Sequence, residues 1–498
     1  MSIVFKKFLL RGAFFMERSR FIFENEMWRR DYSKAVKNQK KLAKKHGDDR
    51  GKVYHLKAAD TPAIGESLGV KNLVMSETPL ELDADRSVII GNIRMGFGHY
   101  RISMALASAA HSMGYTPYWL DLNSFKGTAA TNIISAQNDL YSLGSRISQR
   151  SFLFNKLVWE PVNTELFRRL AYNCSDQKMT ELMTGLYADL PKDIPFVAAH
   201  AWPAQAAIHA GLTNVVNAIP DNWPMALHLS EGAVHTVQTQ SAYMGYKVLR
   251  GMDKKRLLQP MPEGSVKYTG HYIDHELVAN IAPDNERRRA RAVSGGAKRY
   301  LLTIGGAGAQ QEIFVSIIRQ LIPAVKQQKA ALFVNLGDHK DAWENIRKQL
   351  PDISGLLHEH YDDFSQTSEF AAHALDNEVE GIHIFFHSDI FAAVYSTNLL
   401  MRACDVLITK PSELAFYPVP KLMIKRVGGH EAWGAIRAAE IGDGTFECDT
   451  PREITTMLKA LQKNDELTGF MRDNIAAANK AGIYNGAYKA VRLAVRKG

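Results

Sequence analysis

Ser87-Val88-Ile89-Ile90-Gly91-Asn92-Ile93-Arg94-Met95-Gly96-Phe97-Gly98-His99 carries a short apolar run into a turn with closely spaced glycines. The run reads as a buried strand. The spacing after it predicts a helix over 101–113 that stops at Gly114. Pro117-Tyr118-Trp119-Leu120-Asp121-Leu122 then reads as a second strand. Strand, glycine turn, helix and strand together make a βαβ unit, the building block of a parallel sheet.

The same grammar extends outward. Phe196-Val197-Ala198-Ala199, Asn214-Val215-Val216-Asn217-Ala218-Ile219, Val234-His235-Thr236-Val237 and Val266-Lys267-Tyr268-Thr269-Gly270 are strand candidates, with a helix expected over 203–210. The alternation restarts at Arg299-Tyr300-Leu301-Leu302-Thr303-Ile304, runs into Gly305-Gly306-Ala307-Gly308-Ala309, and continues as an amphipathic helix over 311–326. Ala331-Leu332-Phe333-Val334-Asn335-Leu336, His383-Ile384-Phe385-Phe386, Val406-Leu407-Ile408-Thr409 and Lys421-Leu422-Met423-Ile424 follow as strands. Two restarts predict two doubly wound α/β domains, over 86–280 and 296–480. Residues 1–85 read as an N-terminal extension, helical over 17–46 and mostly loop over 50–85. Residues 481–498 read as a final helix returning to the first domain.

Bulk composition agrees. A chain of 498 residues exceeds what one core organises, and 46% hydrophobic with 23% charged residues is ordinary globular composition. Cys174, Cys404 and Cys448 show no CxxC spacing, which predicts neither a disulfide framework nor a zinc site and fits a reducing cytoplasm. No apolar run is long enough to span a bilayer. Phe5-Lys6-Lys7-Phe8-Leu9-Leu10-Arg11 begins like a signal peptide, but Arg11 and Glu17 interrupt it and no small-residue cleavage site follows, so secretion is not expected. A net charge of +9 favours an anionic partner. Much of it is local, in Arg29, Arg30, Lys34, Lys37, Lys40, Lys41, Lys44 and Lys45, with a second cluster over 287–291.

Open parallel sheets bind ligands at the carboxyl ends of their strands, where strand order reverses. Gly96-Phe97-Gly98 and Gly305-Gly306-Ala307-Gly308 fall there, and glycine lets backbone N–H groups approach an anion at a helix start. The first turn is not GxGxxG and no GxxxxGK[ST] occurs, so neither a dinucleotide fingerprint nor a P-loop is present. His358-Glu359-His360 is not HExxH, and no metal site is expected.

The segment from Gly91 to His99 resembles the turn ending in Gly-His of the two-domain glycosyltransferases that make lipid-linked sugars. These are the monogalactosyldiacylglycerol synthases, the processive diacylglycerol glucosyltransferases and the N-acetylglucosaminyltransferase of peptidoglycan assembly. Further similarities occur in the same order. They are Ala199-His200-Ala201-Trp202-Pro203, Pro220-Asp221 with His228, Tyr268-Thr269-Gly270-His271-Tyr272-Ile273, Thr303 through Ala309, Asp405-Val406-Leu407-Ile408-Thr409-Lys410-Pro411, and Gly429-His430-Glu431-Ala432-Trp433-Gly434. The resemblance spans roughly 86–480. It departs where those enzymes carry a Gly-Gly-Leu-Thr stretch, since Pro411 runs directly into Ser412-Glu413, and where His271 replaces a proline.

The resemblance implies the GT-B fold, two facing Rossmann-like domains, and hexosyl transfer from a UDP-sugar to an acceptor hydroxyl with inversion. A lipid or amphiphile is among the candidate acceptors. His99 would be the base, assisted by Asp221. Gly305, Gly306, Ala307, Gly308, Ser412, Glu413, His430 and Glu431 would bind the donor. Gly96, Gly98, His200 and His228 would lie on the acceptor side. No cofactor, metal or nucleic acid is expected. The implied location is cytoplasmic, peripheral at an anionic membrane face. A nucleotide-sugar 2-epimerase of the same fold, or a non-catalytic binding protein, is the competing reading.

Overall fold

The computed structural model describes residues 17–94, 96–150, 165–304 and 310–495. Residues 5–11, read above as no signal peptide, lie outside them.

The first sheet contains β1 (His55–Asp60), β2 (Lys71–Ser76), β3 (Ser87–Asn92), β4 (Thr116–Asp121), β5 (Phe196–Ala198), β6 (Val215–Ala218), β7 (Val234–Val237) and β8 (Val266–Tyr268). Their order is β8-β7-β6-β5-β3-β4-β2-β1. The second contains β9 (Lys298–Thr303), β10 (Ala330–Asn335), β11 (Leu357–Tyr361), β12 (Ile382–Phe386), β13 (Val406–Thr409) and β14 (Lys421–Met423), in the order β11-β12-β10-β9-β13-β14. All neighbours are parallel except β1 and β2, which pair antiparallel from His55↔Ser76 to Asp60↔Lys71. The two Rossmann-like domains expected from the sequence are present. Central strands such as β3 and β10 are buried at every residue, as a parallel sheet covered on both faces requires.

Three segments differ from the sequence reading. Residues 50–85 are not mostly loop, because they supply β1 and β2, which extend the first sheet through parallel pairing of β2 with β4. β1 is the edge strand and β2 lies next to it, and each fully buries a single residue, Leu56 or Leu73, so their sequences lack a continuous apolar run. The helix expected over 17–46 begins later, as α1 (Arg29–His46), after a short ribbon pairing Phe21–Ile22 with Asn25–Glu26. Edge strand β11, with the polar core His358-Glu359-His360, was not anticipated.

Helix α2 (Phe97–Ser112) follows the first glycine turn and is the central interdomain element. Ala105, Ala107, Ala109 and Ala110 are buried along it, and small side chains let other helices approach closely. It packs with α5 (Ile390–Ala403) of the second domain and with α7 (Gly486–Val495), whose Ala487, Ala490, Val491 and Ala494 share the same core. Arg101 donates from α2 to Asn398 Oδ1 (2.6 Å) and Thr397 Oγ1 (3.3 Å) on α5, which ties the domains together with a buried guanidinium. Helices α3 (Ala201–His209), α4 (Gln311–Lys326) and α6 (Ala432–Ile441) complete the elements used below. Cys174, Cys404 and Cys448 are buried free thiols. No helix among the described residues is long and apolar enough to cross a membrane.

Candidate functional site

Strand order reverses between β3 and β5 in the first sheet and between β9 and β13 in the second. Each reversal opens a crevice beyond the strand ends. The first crevice receives the turn after β3 and His200 after β5. The second receives Lys410 to Glu413 after β13. Thr303 and Thr409 bridge the second crevice through a 3.0 Å hydroxyl contact. The two crevices face one another. Gly98 lies so close to Glu413 that a Cβ there would collide with the carboxylate. This gives Gly98 a physical reason distinct from backbone approach to an anion, because the second domain occupies the space a side chain would fill. Gly96 is needed for conformation, with φ at 84°.

His99 sits in the first turn of α2. Its Nδ1 lies 3.0 Å from the Ala199 carbonyl oxygen. A carbonyl only accepts, so Nδ1 carries the hydrogen and Nε2 of the neutral ring keeps its lone pair. Burial lowers its pKa, against opposing pulls from Glu413, the Ala199 carbonyl and Asp221. The neutral ring is therefore the resting form near pH 7, and the nearby carboxylates oppose the shift by favouring the imidazolium.

His200 packs edge-on against His99, with centroids 4.9 Å apart. It caps α3, its Nδ1 accepting from the Trp202 amide at 3.1 Å. It is buried, and burial holds its pKa well below the ordinary value. His228 is also buried. Its Nε2 is 3.2 Å from Asp221 Oδ2 and its Nδ1 is 2.7 Å from the Tyr246 hydroxyl. Both histidines, expected on the acceptor side, are buried in the first domain, His200 against the His99 ring and His228 against Asp221. Asp221 itself, half-exposed, reaches the cleft.

On the second domain, Ser412 precedes the short turn Glu413–Phe416 and makes no side-chain cap on it. Glu431 is paired with Lys410 and accepts from the Val427 and Gly428 amides at 2.7 and 3.1 Å. It braces the loop before α6. Gly305, Gly306, Ala307 and Gly308 lie outside the described residues, as does the side chain of His430. Asp221 and Asn222 from one domain and Ser412, Glu413, Glu431 and Gly434 from the other line a common cleft. Trp223 and Trp433 meet across it with centroids 5.7 Å apart.

Residues 21–248 match a family described as Domain of unknown function (DUF6937), and residues 261–495 match one described as Domain of unknown function (DUF6938). No curated protein matches the chain. Among solved structures, it aligns with UDP-GlcNAc 2-epimerase from Neisseria meningitidis at 12% identity and a TM-score of 0.40, over 82% of this chain and 97% of the other. Alpha,alpha-trehalose 6-phosphate synthase from Burkholderia multivorans aligns at 14% identity and 0.41, over 82% and 98%. The calicheamicin glycosyltransferase CalG4 aligns at 12% and 0.38, over 82% and 96%.

Tyr246, Lys410 and the Trp223–Trp433 pair had no assigned role in the sequence. Lys410 stood inside a quoted motif. Tyr246 carried no local signal, since its tie to His228 exists only once the chain has folded.

Proposed function

We propose that the cleft is a glycosyl-transfer site in which His99 activates an acceptor hydroxyl for attack on the anomeric carbon of a nucleotide sugar, with a uridine diphosphate leaving group. The observation that carries this reading is the tautomer of His99: its Nδ1 is held on the Ala199 carbonyl, its Nε2 keeps a lone pair, and both Asp221 and Glu413 act on the ring. The hydroxyl oxygen forms the new bond to the anomeric carbon while the bond to the diphosphate oxygen breaks. The hydroxyl proton moves to His99 Nε2. A single displacement of this kind inverts the anomeric centre. Glu413 holds the donor by accepting hydrogen bonds, and Asp221 stabilises the imidazolium that forms.

The reading uses no metal ion, so chelation with EDTA leaves turnover unchanged. Its test is a panel of uridine diphosphate sugars, with uridine diphosphate release followed with and without candidate acceptor alcohols and lipids. Acceptor-dependent release from one sugar, with the sugar recovered on the acceptor, supports transfer. Conversion of the donor into its epimer without acceptor would replace transfer by the 2-epimerase reading. A protein that binds no uridine nucleotide would remove both.

A further inference from the structure

The chain carries a net charge of +9, and α1 alone holds eight of its basic residues against one acidic residue, Asp31. Seven of the nine net charges therefore come from one helix, and the remainder of the molecule is close to balanced. Arg29, Arg30, Lys34, Lys37, Lys40, Lys41, Lys44 and Lys45 are all exposed. At 3.6 residues per turn they fall within an arc of about 160°. The opposite arc holds the buried Ala35 and Gln39 and packs on the helix Leu170–Thr180. None of the eight makes an ion pair with a described residue. The result is a cationic ridge about 27 Å long lying flat on the first domain.

Apolar side chains stand at its N-terminal end. Trp28 is 50% exposed and Leu257 fully exposed. The loop bearing Leu257 is fastened there. Arg256 donates to the Glu26 carbonyl at 2.6 Å and lies over the Trp28 ring, and Gln259 and Asn25 exchange two hydrogen bonds.

We propose that this face of α1, with Trp28 and Leu257, docks on an anionic phospholipid bilayer. Lys and Arg on a flat ridge match a plane of negative headgroups. Trp28 and Leu257 supply the apolar contact that an interfacial anchor inserts below them. A single-stranded nucleic acid is matched less well. Its recognition interleaves exposed aromatic rings along the cations, whereas here Trp28 stands at one end of the ridge and Tyr32, the one aromatic within α1, lies under Lys178 on the packed side. The assignment is independent of the transferase reading.

The test uses the full chain and vesicles of phosphatidylcholine with or without phosphatidylglycerol. The protein binds the vesicles containing phosphatidylglycerol, does not bind those lacking it, and is released by salt, because screening shortens to a few ångströms at about 1 M. Joint replacement Lys37→Gln, Lys41→Gln and Lys44→Gln keeps helix propensity and weakens binding about 100-fold, at roughly tenfold or less per charge. Joint replacement Lys348→Gln, Lys459→Gln and Lys463→Gln removes the same charge from the second domain and leaves binding unchanged. Leu257→Ser weakens binding without altering its salt dependence. Absence of vesicle binding, or equal loss from both triple variants, overturns the proposal. So does a single-stranded oligonucleotide that binds α1 more tightly than the vesicles do.

Discussion

At the scale of single residues, His99 and Gly98 carry separable consequences. His99→Ala removes the proposed base, whose interaction is made mainly in the transition state. Turnover should fall about 10²–10⁴-fold while affinity for uridine diphosphate stays near the wild-type value. Because burial depresses its pKa, His99 should stay neutral below the ordinary histidine midpoint of about 6.5. The acid limb of a kcat/KM profile therefore lies below that pH, and a limb above it would contradict the assignment. Gly98→Ala tests the interdomain contact. The new methyl meets the Glu413 carboxylate, the far end of a flexible side chain that must swing aside, so the variant should lose about 1 kcal/mol or less in denaturant unfolding. Shortening the other side with Glu413→Ala should restore part of that loss in the double variant. Additive losses in the cycle would mean the two residues do not touch. The sequence singled out His99 through the resemblance, in which it ends a glycine turn. The reason for Gly98 was not legible, since the group that excludes its side chain is more than three hundred residues away.

At the scale of elements, the strands that are buried on both faces were legible and the edge strands were not. Val88-Ile89-Ile90 and Leu332-Phe333-Val334 are continuous apolar runs because helices cover both sides of a central parallel strand. His55–Asp60 and Leu357–Tyr361 have one neighbour each and expose much of their length, so their composition resembles a loop. The edge at β11 also stores a pH response. His360 Nε2 is 3.1 Å from His383 Nδ1, and His358 stacks on the His383 ring at 4.6 Å. Burial pushes the His383 pKa down to about 3, with the two neighbouring histidines acting in the same direction. A depressed folded pKa contributes stability above the unfolded value of about 6.5, and that contribution is lost as pH falls toward the folded value. His383→Gln removes this pH-dependent loss, so the stability of the variant relative to wild type should rise by up to about 1.4 kcal/mol per unit as pH falls below 6.5. A stability difference independent of pH would show that His383 does not titrate between the two states.

At the scale of the whole molecule, two sheets present their reversal points to one another, and α2 holds them in register. Arg101 is a buried polar tie, reaching from α2 into α5 through Asn398 and Thr397. Arg101→Met keeps most of the side-chain volume but strands these partners, and should cost about 2–4 kcal/mol. Hydrogen exchange should rise along α5, whereas unchanged protection there would show that Arg101 does not hold α5 in place. The two-domain plan was readable from two restarts of the same strand and turn pattern. The way those restarts meet depends on long-range contacts and was not. The central claim, that the facing reversal points form a nucleotide-sugar site with divided roles, is tested most directly by calorimetric titration of uridine diphosphate into wild type, His99→Ala and Glu413→Ala. The account predicts binding by wild type, near-wild-type affinity for His99→Ala, and an affinity about 10–100-fold weaker for Glu413→Ala, as expected for loss of a charged acceptor. No binding by wild type, or equal affinity in all three proteins, would contradict it.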